Sequence, residues 1–143
     1  MCIIVDANSS HELVHGSEDG APVLRWLLHP KRRSGLIVGG QLVKELVRAG
    51  FTETLAVLSQ AGRLHRIPDP VVDARATKLR DTGSCVSNDQ HVVALALESG
   101  CETVFTKDKA LHQDLKRHAP TGSRIAIYQK ARHARLLKEC HCR

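Results

Sequence analysis

Aromatic side chains are almost absent from this 143-residue chain: Trp26, Phe51, Phe105 and Tyr128 are the whole set. So few rings exclude a base-stacking platform of the kind that holds single strands by their bases. If nucleic acid is the partner, it is gripped through phosphates and shape. Long apolar runs are missing too. None approaches membrane-spanning length, and Cys2-Ile3-Ile4-Val5 is ended by Asp6 before it could form a signal-peptide core. The chain is therefore expected in the cytoplasm, with no membrane partner. Its five cysteines are odd in number and irregular in spacing, which predicts reduced thiols rather than a disulfide framework. Cys140-His141-Cys142 lacks a second ligand pair and reads as a chance cluster rather than a metal site. No repeat, low-complexity tract or linker interrupts the chain. One domain over 1–143 is expected, with 130–143 a basic C-terminal tail of helical potential.

What the sequence does hold is an excess of positive charge, formally +6, with a pI near 9.3. That permits a polyanionic partner without demanding one. Strand-like and helix-like segments alternate. Apolar strands are expected at 2–5, 36–38, 64–67, 103–106 and 125–128. Helices are expected from Ser9 or Ser10 to His15 and over 23–28, 41–49, 53–61, 71–80 and 109–118, with Pro68 to Pro70 a turn. Such alternation predicts an α/β fold, a Rossmann-like three-layer sandwich with a mostly parallel five-stranded sheet and helices on both faces.

The central stretch runs from Ser87 to Asp108. Ser87 and Gln90 have capping-box spacing, so a helix is expected to start there with Asp89 in its first turn. Val92 to Leu97 is apolar all round, which suits a helix packed on several sides, and Gly100 is a natural stop. Four carboxylates occupy comparable places in this layout. Asp6 follows the first strand, Glu45 lies in the helix after Gly39-Gly40, Asp89 opens the central helix, and Asp108 follows the next strand. Carboxyl ends of neighbouring parallel strands share one edge, so these acids can converge there. Each has a plainer reading: Asp suits a first helical turn and a post-strand turn, and Glu45 lies on the flank of its helix. Two carboxylates about 6 Å apart repel by roughly 3 kcal/mol at an effective dielectric of 20. An all-oxygen site answers that cost with magnesium or manganese, which can activate water against a phosphodiester.

Over nearly its full length the chain resembles PIN-domain nucleases. The resemblance is carried by Ile3-Ile4-Val5-Asp6-Ala7-Asn8, Gly39-Gly40-Gln41-Leu42-Val43-Lys44-Glu45-Leu46, Ser87-Asn88-Asp89 and Val104-Phe105-Thr106-Lys107-Asp108. Residues 51–86 carry little of it, and Asp6-Ala7-Asn8 lacks a hydroxyl directly after the acid. The resemblance implies a metal-dependent endoribonuclease using Mg2+ or Mn2+. In it Asp6, Asp89 and Asp108 are metal ligands or their close support, Glu45 is the second acid, and Asn8, Ser9 and Thr106 line the pocket. It further implies water attack on phosphorus with loss of the 3′ oxygen, leaving a 5′ phosphate and a 3′ hydroxyl. The partners it implies are an RNA substrate and, in the toxin branch, an antitoxin protein or a second copy of the chain.

Two other readings compete. His11-Glu12-Leu13-Val14-His15 matches the zinc metalloprotease motif, in which two histidines share a helical face and the Glu is general base. The helix is short, because Gly16 follows at once, and no third ligand is evident. A non-catalytic α/β binding module is the second rival. The absence of Gly-x-Gly-x-x-Gly and of a phosphate-loop lysine motif argues against it. His91 is expected to be a hydrogen-bonded structural residue. Lys31-Arg32-Arg33 and the region from Lys130 to Lys138 are candidate phosphate contacts or, equally, a solvated basic surface.

Overall fold

A computed structural model describes residues 2–137. Cys140-His141-Cys142 and the end of the basic tail, including Lys138, lie outside the described residues. Five strands form one sheet: β1 (Cys2–Val5), β2 (Gly35–Gly39), β3 (Leu64–Ile67), β4 (Thr103–Phe105) and β5 (Ala126–Tyr128). Every pairing is parallel and the order is β3-β2-β1-β4-β5, so the sheet is wholly rather than mostly parallel. Around it lie α1 (Ser10–Val14), α2 (Ala21–Leu28), α3 (Gln41–Arg48), α4 (Thr52–Gln60), α5 (Asp69–Asp81), α6 (Gln90–Ser99) and α7 (Lys109–His118). Short 3-10 turns follow β1 at Ala7–Ser9 and β5 at Ala131–Leu136, the latter where a helical tail was expected. The architecture is the expected three-layer α/β sandwich.

The strands are apolar runs because both faces of the sheet are covered. Ile3, Ile4, Val5, Leu36, Val38, Val104 and Phe105 are buried. β3 is an edge strand, and its Leu-His-Arg-Ile is only partly covered. α6 is buried from His91 to Ala96 and packs on α5 while also touching α3, α7 and the sheet, which explains its all-round apolar composition. Gly100 ends it in the left-handed region at φ +68°. Gly40 launches α3 at φ +58°, and a Cβ there would also come within 3.0 Å of Asp73 and Val72. Among the described residues, no helix is long and apolar enough to cross a membrane.

Three local expectations are corrected. Pro70 does not sit in a turn but in the first turn of α5, which begins at Asp69, because a residue there needs no N–H donor. The central helix begins at Gln90, with Asp89 as N-cap, and the capping box from Ser87 does not form. Ser87 Oγ instead donates to Asp114 Oδ2 at 2.5 Å and accepts from Asp89 N at 3.2 Å. Finally, Cys2 is disulfide-bonded, against the expectation of reduced thiols, while Cys85 and Cys101 are free.

Candidate active site

Strand order reverses between β1 and β4: the chain winds outward to β3 on one side, then returns to add β4 and β5 on the other. The helices therefore diverge at the carboxyl ends of these two strands and leave a crevice there. Asp6 leaves β1 at this crevice, its amide still bonded to Phe105 O at 3.0 Å. Thr106 leaves β4 beside it, its amide bonded to Tyr128 O at 3.2 Å. The buried Thr106 hydroxyl donates to Asp6 Oδ2 at 2.9 Å and accepts from Asp108 N at 3.1 Å. His112 Nε2 donates to Thr106 O at 2.8 Å. One threonine thus fixes the first acid and the backbone of the last.

α3 and α6 meet above the same crevice. Glu45 of α3 accepts from His91 Nε2 of α6 at 2.8 Å on Oε2 and from Gln41 Nε2 at 2.8 Å on Oε1. His91 is hydrogen-bonded as expected, but its partner is one of the candidate site acids. Asp6, Glu45 and Asp89, with Ala7, Asn8, Arg48 and Ala49, line a cleft of about 400 Å³. Asn8 therefore reaches the cleft, whereas Ser9 is buried and not among its lining residues. Asp108 is not among them either. It is the N-cap of α7, with Oδ1 accepting from Ala110 N at 2.9 Å and Leu111 N at 3.4 Å. The plainer reading of that aspartate is thus realised, although its charge is still felt by its neighbours.

The acids raise one another. Burial pushes the Asp89 carboxyl up to about 6, and the charge of Asp6 adds to it. His91 opposes the shift, while Asp108 and Glu45 contribute further. Asp6 is also raised, first by burial and then by Asp108 and Glu45, against the lowering effect of its bonds from Thr106 and the Asn8 backbone. Four carboxylates from four segments therefore share one electrostatic field. Among the described residues, however, no three His, Cys, Asp or Glu side chains form a ready metal-ligand group. Unscreened repulsion of this kind keeps carboxylates apart. By chemistry the donors fit a hard divalent cation: among the described residues the cleft lining offers three carboxylates and an Asn amide, with no sulfur or imidazole.

The zinc motif falls elsewhere. His15 is the C-cap of the five-residue α1, and His11 is exposed. Glu12 is engaged by the Ser17 hydroxyl and by Lys107 Nζ at 2.9 Å, and these partners lower its pKa. Lys107 also bridges to Asp19 at 3.0 Å, so the glutamate is a structural tie between α1 and the end of β4.

Two residues of consequence were not singled out from the sequence. Arg48 is the one cation among the described residues that line the cleft. Asp114 of α7 is 1% exposed and accepts from Val86 N at 2.8 Å, Ser87 N at 2.9 Å and Ser87 Oγ at 2.5 Å, so it holds the segment that delivers Asp89. A signal for Asp114 existed: it shares a helical face with Leu111 and Leu115, where a carboxylate must find donors. No protein-family model matches the chain, and no curated protein matches it.

Proposed function

We propose that the protein is a divalent-cation-dependent ribonuclease of the PIN type. The observation that carries this reading is that Asp6, Glu45 and Asp89, from three separate elements, line one cleft at the point where strand order reverses. Asp6 and Asp89 with Glu45 are the residues that would hold Mg2+ or Mn2+, with Asp108 lending charge from behind. When bound, that cation supplies a more acidic water and stabilises the charge that builds on a phosphoryl group. The chain's own residues do the rest. Thr106 holds Asp6 by its Oδ2, and His91 and Gln41 hold both oxygens of Glu45. Arg48 lines the same cleft and would be the cation that meets a phosphate oxygen of the substrate.

The direct test is incubation with single-stranded and structured RNA in the presence of Mn2+. Cleavage abolished by chelator and by Asp6→Asn is the expected result. Turnover that survives either treatment removes the acids from the chemistry. Toxicity on expression that disappears with Asp6→Asn would assign the protein to the toxin branch.

Cation affinity should also depend on pH. Asp89 binds a cation only when ionised, and its carboxyl is raised to about 6. Protons therefore compete below that value, and Mn2+ affinity measured by calorimetry should fall about tenfold per pH unit there, levelling off above about 7. Affinity that stays flat between about pH 5 and 7 would detach the cation from this carboxylate.

A further inference from the structure

Glu45 is delivered to the cleft differently from the other two carboxylates that line it. Asp6 follows β1 and Asp89 caps α6, both on short side chains, whereas Glu45 reaches in from α3 on a stem with three rotatable bonds. Such a stem, facing two like charges, swings into solvent unless something holds it. Two described side chains donate to it. Gln41 lies one turn back on the same helix and is exposed, so it moves with α3 and fixes nothing relative to Asp6 or Asp89. His91 comes from α6, donates from Nε2 to Oε2 at 2.8 Å, and is only 3% exposed. A ring so buried does not follow the carboxylate outward.

We propose that His91 is a positioning residue of the carboxylate cleft: it holds Glu45 beside Asp6 and Asp89, and cation affinity depends on that hold. The inference rests on the cation-dependent reading given above. α6 thereby acts twice, offering Asp89 at its N-cap and, two residues on, the donor that fixes an acid of α3. With Oε2 committed to a buried donor, Oε1 is the oxygen that can change partner, since its bond from Gln41 lies at the surface. A group that hydrogen-bonds a ligating carboxylate orients it, and its loss is felt as lost metal affinity. A plain tie between α3 and α6 is the competing account. A tie gains nothing from leaving its acceptor open to a cleft, yet the Glu45 side chain is 25% exposed there while its partner is buried.

The test follows Mn2+ binding to the purified chain by electron paramagnetic resonance of the free ion, which reaches millimolar constants. Melting in chelator checks the fold of each variant first. His91→Leu removes the donor at similar volume, and affinity should fall about tenfold or more. Two amide variants separate reach from chemistry and carry the test even where His91→Leu does not fold. The amide nitrogen of His91→Gln can stand where Nε2 does, while that of His91→Asn is one methylene short. His91→Gln should stay within about threefold of wild type, and His91→Asn should lose as much as His91→Leu. In Glu45→Ala, adding His91→Leu should change the remaining affinity less than about twofold, because the residue acts through Glu45. Wild type that binds no Mn2+ overturns the cation reading and this role with it. Where wild type binds Mn2+, three results overturn the role of His91 alone. These are unaltered affinity in His91→Leu, equal affinities in His91→Gln and His91→Asn, and a further loss beyond about twofold in the Glu45→Ala background, which marks a plain tie.

Discussion

Asp89→Asn should make the protein more stable while removing the proposed RNA cleavage. The Asp89 carboxyl is raised from 3.8 to about 6 in the folded chain. Between those values the folded state binds more protons than the unfolded one, so stability falls as pH rises, and the full cost is present above about pH 6. A shift of that size corresponds to at most about 3 kcal/mol. Solvent around the partly exposed side chain reduces it to roughly 1–2 kcal/mol. An amide carries no charge to repel Asp6, and the Asp89 side chain makes no cap bond to lose. In chelator at pH 7.5, Asp89→Asn should therefore melt about 3–7 °C above wild type. In Mn2+ the order should narrow or invert, because only wild type gains the full linkage stabilisation from the bound cation. Activity should drop more than about a hundredfold, since groups that merely support a metal ligand already cost ten to a hundredfold. A variant that melts below wild type in chelator would mean that Asp89 does not sit in a repulsive field.

Asp114→Ala should have the opposite effect on stability and the same direction of effect on function. The substitution strips a buried acceptor from Val86 N, Ser87 N and Ser87 Oγ at once. Bonds to a charged acceptor contribute about 1.5–3 kcal/mol each, but losses within one network do not add in full. A total of roughly 3–5 kcal/mol is expected, lowering the melting temperature by roughly 10–15 °C. Asp114→Asn keeps the shape and one acceptor, and should fall between. At temperatures where both variants remain folded, Mn2+ affinity should still drop about tenfold or more, because the segment ending at Asp89 is no longer held. Wild-type affinity in folded Asp114→Ala would show that Asp89 is placed without help from α7.

Local chemistry made the framework of this protein readable. The apolar run of Ile3, Ile4 and Val5, the stop at Gly100 and the amphipathic spacing of Leu42 and Leu46 each depend on near neighbours, and each appears where expected. Asp6, Glu45, Asp89 and Asp108 were expected to converge where alternating strands and helices bring strand ends to one edge; the first three line one cleft, whereas Asp108 caps α7. What escaped the sequence was decided across long separations. Ser87 had every local reason to cap α6, yet a carboxylate 27 positions away takes its hydroxyl. Glu45 looked like a solvated flank residue until His91, 46 positions on, supplied a partner. The His11 and His15 pattern fits a helix that is too short to use it, and the salt bridge from Lys107 to Glu12 could not be read from either segment alone.

β2 begins beside the loop that Arg63 ties down through Arg32 O and His29 O, and ends at Gly39, one residue before Gly40 launches the helix of Glu45. The two ends of this strand therefore border groups of opposite sign, basic side chains at its start and the cleft of Asp6, Glu45 and Asp89 past its end. For a negatively charged polymer coming close to these residues, the start of β2 is the end that attracts and the carboxylate end the one that repels.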